Sequence, residues 1–390
     1  MDNIAIIITK LYGGGAERVA SNLSIELSKT YNVKLIVFDD KNIIYPYCGD
    51  LISLDIPATN NKFMRFINVF KRSAKLKKIK KENNIKCSIS LLDGPNIVNV
   101  LSRDKDKVIT SVRNFLSDSE KTNIVRKVCV RIISNCSDKV VAISEVVKQD
   151  LIENIKVKAN KVVTIYNSCD GERLAKLSLG KELSEFEDKK YICTMGRLTH
   201  QKGQWHLIRA FKEVIKSNPE LNLIILGEGE LREKLNNLIK DLGLEEKVKL
   251  IGYIENPHDV IRNSEMFIFP SLYEGLGNAL LEALSCGVPI ISTDCNAGPR
   301  EILAPSTDIK NKAKDKVEIE EYGILVPNFN NDCFCSEIPL NEEEKLLVKA
   351  INMLIKDDKL KSTLKEKALK RVKDFSPLEI EKQWIKLIDE

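Results

Sequence analysis

The sequence predicts an α/β protein of two doubly wound domains, each an open, mostly parallel sheet covered by helices. Three observations carry that expectation. Short apolar runs alternate with helix-length segments along all 390 residues. The chain is too long for one ordinary core. A polar stretch, "SLGKELSEFEDKK" at 178–190, divides the runs into two sets.

In the first set the strands expected are "IAIIIT" (4–9), "VKLIVF" (33–38), "CSISLL" (87–92), "KVITSV" (107–112), "KVVAIS" (139–144) and "VVTIYN" (162–167). The second set holds "YICTMGR" (191–197), "LNLIILGEG" (221–229), "VKLIGY" (248–253), "MFIFPS" (266–271), "PIISTD" (289–294) and "GILVP" (323–327). Continuous apolar runs of this length suit parallel strands buried on both faces. The domains expected are 1–177 and 191–374, with 178–190 as the linker and 375–390 as a helix crossing back to the first domain. Ligands of such sheets gather beyond the carboxyl ends of the strands, which places the chemistry in a cleft between the domains.

Composition excludes several classes. The chain is 43% hydrophobic and 30% charged, with no apolar run long enough to span a bilayer. "MDNIAIIITK" has an acid where a signal peptide needs basic residues, so a cytoplasmic protein is expected. The cysteines form no C-x-x-C pair, and the closest two are Cys333 and Cys335. Neither a zinc site nor a disulfide framework fits that spacing. A D-x-D occurs only at Asp104–Asp106, among Arg103, Lys105 and Lys107, and reads as solvated surface; no metal is expected. Charge is uneven: residues 1–170 hold 28 Lys/Arg against 18 Asp/Glu, the remainder 33 against 38. The first half is drawn to something anionic.

Three stretches carry candidate chemistry. In "GGGAERVASNL", Gly13–Gly15 sit between the first strand and its helix, where a glycine backbone approaches a ligand closely; a plain tight turn fits equally well. In "GRLTHQKGQW", Arg197 and Lys202 follow a strand, and two fixed cations there suit a diphosphate. In "YEGLGNALLEA", Glu274 and Glu282 bracket a glycine turn and the start of an apolar helix, whose amides favour an anion. With the cations on the phosphates, the two acids become acceptors for hydroxyl groups.

In this order, strand–"GR"–x₄–"KG", "GEG", E-x₇-E and "STDCNAGPREIL" resemble the family 4 glycosyltransferases of the GT-B fold, and the resemblance covers essentially the whole chain. It implies two Rossmann-like domains facing across a cleft, and metal-free transfer of a sugar from a nucleotide diphosphate sugar with retention. It places Arg197 and Lys202 on the diphosphate, Glu282 on the ribose and Glu274 on the donor sugar. It further implies that the amides of Gly277, Asn278 and Ala279 meet the phosphates, that the backbone at Ile254 holds the base, and that Gly14 and Gly15 approach the diphosphate. Many members carry a histidine after a middle strand of the first domain. Here that stretch is "SVRN", with Arg113 or Asn114 in its place, and all three histidines (His200, His206, His258) lie in the second half. A UDP-sugar 2-epimerase should lack E-x₇-E and should carry acids and a histidine in the first domain. A non-catalytic binding module has no need of Arg197, Lys202, Glu274 and Glu282 together.

The segment 61–81, "NKFMRFINVFKRSAKLKKIKK", has nine Lys/Arg and no acid. It reads either as a core helix with a solvated basic edge or as an interfacial helix on an anionic leaflet, where each cation contributes about 1 kcal/mol. The second reading uses Phe63, Phe66, Phe70, Lys75, Lys77, Lys78 and Lys80. No nucleic-acid motif accompanies the segment. The expected whole is a glycosyltransferase, peripheral at the inner face of the membrane, that moves a sugar from a UDP-linked donor to a lipid-linked glycan in surface polysaccharide synthesis (O-antigen, capsule or similar). Beyond that donor, no cofactor is expected.

Overall fold

The computed structural model describes residues 1–59, 61–117, 124–177, 189–330 and 334–390. They form two compact units, 1–168 with 377–390, and 169–376. Most of the expected linker, 178–188, lies outside the described residues.

The first unit is built on seven parallel strands: β1 (Asn3–Ile8), β2 (Asn32–Val37), β3 (Asp50–Ser53), β4 (Cys87–Leu91), β5 (Lys107–Val112), β6 (Lys139–Ala142) and β7 (Val162–Thr164). Their order is β3-β2-β1-β4-β5-β6-β7. Side chains alternate across the sheet. Ile4, Ile6 and Ile8 meet α1 (Gly15–Leu27) through Ala20, Leu23 and Leu27, and α14 (Pro377–Asp389) through Ile380, Trp384 and Leu387. Ala5 and Ile7 face the other way, onto Leu76 and Ile79 of α2 (Lys62–Glu82) and Val98 of α3 (Asp93–Leu101). Next to α3 comes α4 (Ile124–Cys136), and α5 (Glu145–Glu153) follows β6.

Helix α2 corrects two expectations. Lys80 is no surface cation: it is 1% exposed and its ammonium lies 2.8 Å from Asp106. It also donates to Asn99 Oδ1 at 2.7 Å and to Ser88 Oγ at 3.2 Å. Asp106 is equally far from the solvated surface expected of it; it accepts from the Ser88 hydroxyl and from the Asp104 amide. Lys75 is half-spent too, donating to Leu54 O and pairing with Asp55, both at 2.9 Å. A four-residue period places Leu76 and Lys80 on one inward stripe, so the lysine enters the core with its neighbours.

The second unit repeats the plan with β8 (Tyr191–Met195), β9 (Asn222–Leu226), β10 (Val248–Gly252), β11 (Phe267–Phe269), β12 (Ile290–Thr293), β13 (Glu318–Ile319) and β14 (Ile324–Val326). The order is β10-β9-β8-β11-β12-β14-β13, parallel except for the β13–β14 pair. Its helices are α6 (Gly171–Leu177), α7 (Gln204–Ser217), α8 (Arg232–Asp241), α9 (His258–Arg262), α10 (Asn278–Ser285), α11 (Pro299–Leu303), α12 (Glu342–Lys356) and α13 (Asp358–Arg371). A buried Glu344 accepts from Arg209 Nε at 2.8 Å and lies 2.8 Å from His206 Nδ1, tying α12 to α7. Both sheets reverse their strand order beside their first strand, β1/β4 and β8/β11. Such reversals open a crevice at the carboxyl edge.

Candidate active site

In the second unit the candidate residues collect at the carboxyl ends of β8 and β11, the reversal point of that sheet. Strand β8 ends at Met195, and Gly196 N donates to Leu226 O at 3.0 Å, which fixes the point from which Arg197 departs. A 3₁₀ turn, His200–Lys202, follows and closes on Gly203 at φ 60°. A Cβ on Gly203 would lie 2.2 Å from the Pro270 carbonyl, so only glycine lets this turn dock on the end of β11. Leu272 N then donates to Gln201 O at 2.8 Å, sewing the two loops together.

The docked turn brings Lys202 against Glu274, with Nζ 2.5 Å from Oε1. Glu274 is 8% exposed, and Gln201 Nε2 reaches its other oxygen at 3.3 Å and the Tyr273 carbonyl at 2.9 Å. Arg197 stands exposed nearby in sequence, and its guanidinium makes no hydrogen bond or ion pair among the described residues. Gly277 caps α10 at φ 94°, a conformation that L side chains rarely adopt, and places Asn278 and Ala279 in the first turn of that helix. Glu282 lies one turn further on, its carboxylate 3.4 Å from Nε2 of the buried His258 on α9. Ile254, half-buried, follows β10 behind an exposed Tyr253.

His258 escaped the sequence reading. Its imidazole is held by Asn256 Oδ1, 3.0 Å from Nδ1, and its other nitrogen faces Glu282. The signal available was position: "YIENPHDV" directly follows β10, beside the stretch expected to hold the base. Gln201 was missed for the same reason, as a polar residue inside a motif read only for its charges.

The first unit carries its own cluster. Gly14 caps α1 and Gly15 opens it, and the carboxylate of Glu17 in the first turn folds back over Gly14. An acid in that position complements the positive end of the helix. Arg113, after β5, donates to Asn167 Oδ1; burial lowers its pKa to about 10, with Glu17 opposing, so the guanidinium stays charged at neutral pH. Asn114 beside it is exposed. Glu17 has no counterpart among the residues expected from the sequence.

Two family descriptions match the chain: "Glycosyltransferase Family 4" over residues 13–173 and "Glycosyl transferases group 1" over residues 178–316. The chain is also 34% identical to an uncharacterised glycosyltransferase of Methanocaldococcus jannaschii, covering 93% of both proteins. The chain is a family 4 glycosyltransferase. This glycosyltransferase is 29% identical, over 100% of both chains, to the N-acetylgalactosamine-N,N'-diacetylbacillosaminyl-diphospho-undecaprenol 4-alpha-N-acetylgalactosaminyltransferase of Campylobacter jejuni. Among solved structures it resembles Anabaena HepE in complex with UDP and glucose, at TM-score 0.77 and 17% identity over 100% of both chains. Such a likeness establishes the GT-B fold. Among the described residues, no helix is long and apolar enough to cross a membrane.

Proposed function

We propose that this glycosyltransferase moves a hexose or N-acetylhexosamine, with retention, from a UDP-linked donor to a polyprenyl-diphosphate-linked glycan of a surface polysaccharide. The observation that carries the reading is the meeting of Lys202, Glu274 and the start of α10 at the reversal point of the second sheet, with Arg197 and Glu282 on the flanking segments. The printed name of the C. jejuni relative supports a diphospho-undecaprenol acceptor, and the HepE complex is an instance of this fold holding UDP.

In this reading Arg197 and Lys202 neutralise the diphosphate as the anomeric C–O bond breaks. The leaving phosphate oxygen takes the proton of the acceptor hydroxyl, whose oxygen bonds the anomeric carbon on the same face. Glu274 fixes the donor sugar by accepting from its hydroxyls, and its ion pair with Lys202 holds both groups in place before the donor arrives. Glu282, braced by His258, accepts from the ribose. The Ile254 backbone receives the base, and Gly14 and Gly15 give their amides to the donor. Arg113 and Asn114 serve the reacting sugar or the acceptor. Fixed cations and helix amides stabilise the developing charge, so no metal is required. Turnover should therefore persist unchanged in excess EDTA, and its loss there with recovery on adding Mg²⁺ would reject that mechanism.

The two acids are separable. Glu282→Ala should weaken UDP binding by about 10- to 100-fold, a charged hydrogen-bond acceptor being worth roughly 1.5–3 kcal/mol. Glu274→Ala should leave UDP affinity within about twofold while lowering turnover of the sugar-bearing donor. Titration calorimetry with UDP, beside initial rates, checks both. The opposite order would reverse the assignment of ribose and sugar.

A further inference from the structure

Between α11 and β14 the chain makes a long detour, residues 304–323, that carries "KNKAKDK" at 310–316. Strand β13 ends the detour antiparallel to β14, with Glu318 opposite Leu325 and Ile319 opposite Ile324. It therefore enters from the carboxyl edge of the sheet, and the lysines just before it lie at the same edge as Lys202 and Glu274. A buried Asp294, at the end of β12, holds the detour down. Its Oδ2 accepts from the Ala313 amide at 2.7 Å and from Arg300 Nε at 2.9 Å, and Arg300 goes on to Glu318 at 2.7 Å. Ala313 is the buried anchor of the run, while Lys310, Lys314 and Lys316 are exposed around it.

What results is a groove of about 680 Å³ whose walls include Arg300, Lys310, Asn311, Lys312, Lys314 and Lys316. Two acids, Glu318 and Glu320, face those five cations. Glu318 is spent on Arg300, and burial pushes the Glu320 carboxyl up despite Arg300. Lys312 donates to the carbonyls of Cys295 at 3.0 Å and Asn296 at 3.3 Å. Lys314 and Lys316 make no hydrogen bond or ion pair among the described residues. Gathering four lysines on one groove costs mutual repulsion, which a bound anion relieves.

The groove also touches the edge where the donor residues stand. Loop 294–298, which Lys312 grips, runs close to the turn ahead of α10: a Cβ on Gly298, at φ 98°, would lie 1.8 Å from the Leu276 carbonyl. Burial pushes the Cys295 thiol of that loop up, Glu274 adds to the push, and Lys312 and Lys202 both oppose it. Charges of the groove and of the Lys202–Glu274 pair thus reach the same thiol.

We propose that this groove is a second anion site of the second unit, separate from Arg197, Lys202 and the start of α10, and that it takes a diphosphate. Lys314 and Lys316 supply its uncommitted charge, with Lys310 and Asn311 beside them. Cations from several positions along 310–316 suit linked phosphates better than a single one, and lysine meets each as a point charge. Two sources present that group. One is the diphosphate of the lipid-linked acceptor, in which case the inference rests on the proposed function; the other is a free diphosphate in solution, which needs only the groove.

The test begins with calorimetric titration of inorganic diphosphate into the full chain saturated with UDP, so that the donor site is filled. Wild type should bind one equivalent. The pair Lys314→Gln, Lys316→Gln should lose about tenfold or more in affinity, because contacts to charged groups are the stronger ones. Its UDP affinity should stay within about twofold of wild type, which separates loss of the site from loss of the fold. Lys314→Arg with Lys316→Arg should retain most of the diphosphate binding. No binding to UDP-saturated wild type, or unaltered binding to the Gln pair, overturns the site. Kinetics then name the source. A KM raised in the Gln pair for a polyprenyl-diphosphate-linked acceptor, but not for the phosphate-free glycan, assigns the groove to the acceptor. Inorganic diphosphate that alters the rate on the phosphate-free glycan in wild type, but not in the Gln pair, assigns it to an anion in solution. A Gln pair that matches wild type in both overturns any part in the transfer. Wild type that fails to bind UDP sinks the donor assignment instead, and diphosphate titrated without UDP into wild type and the Gln pair still reads the groove.

Discussion

Lys202→Ala should lower donor turnover by about 10²–10³-fold, the usual cost of removing one preorganised group from a developing charge. Two roles end together in that variant. In the proposed mechanism the ammonium no longer meets the leaving diphosphate, and Glu274, 8% exposed, loses its closest cation. Arg197→Ala should cost a similar factor through the proposed diphosphate contact alone, because its guanidinium holds nothing else in place among the described residues. Initial rates of UDP release at saturating donor measure both. Lys202→Arg is the informative companion: it keeps the charge, but its planar fork does not reproduce a point contact, so recovery should be partial. Unchanged turnover in both alanine variants would remove the diphosphate clamp from the mechanism.

Lys80→Met should destabilise the first unit by roughly 3–5 kcal/mol, the penalty for leaving a buried charge without its partner. The abandoned group is Asp106, whose side chain is fully buried. Burial pushes its carboxyl up, but the Lys80 ammonium and the Ser88 hydroxyl outweigh that and hold it below the ordinary value of 3.8. Burial lowers the Lys80 pKa, and Asp106, 2.8 Å away, opposes that shift. The sign follows: Asp106 contributes stability above the unfolded carboxylate pKa and loses it as pH falls through its depressed folded value. The double variant Lys80→Met, Asp106→Leu should recover much of the loss, since a well-packed apolar pair replaces a desolvated ionic one. Urea unfolding followed on the first unit measures all three. A single Lys80→Met as stable as wild type would mean water reaches Asp106.

Much of this architecture was legible because both faces of each sheet are buried. Ile4–Ile8 and Leu223–Leu226 are apolar without a break, and only parallel strands under two helical layers ask for that. Strands β3 and β13 escaped for the converse reason. Asp50–Ser53 is an edge strand with no buried residue, and Glu318–Ile319 is a two-residue antiparallel edge, so neither leaves an apolar run to find. Among candidate residues, charge spacing brought Lys202 and Glu274 to notice, and the fold brings them together. Charge spacing could not tell Lys80 from Lys78, because which lysine of a basic helix turns inward depends on Asp106, a distant residue in what looked like a solvated loop. His258 and Glu17 were hidden likewise: each acts through a neighbour that only the topology supplies.

Helix α14 gives the chain an unusual assembly order. It lends Ile380, Trp384 and Leu387 to the core beneath β1 and α1, while residues 169–376 make up the other unit without interruption. On a ribosome, domains ordinarily mature in the order of their synthesis. Here the stretch translated first must wait with part of its isoleucine face uncovered until Trp384 has left the exit tunnel. By then the contiguous unit has all its residues and is free to fold, so maturation runs against the direction of translation, and a nascent chain halted before residue 377 exposes the very surface that invites aggregation or a chaperone.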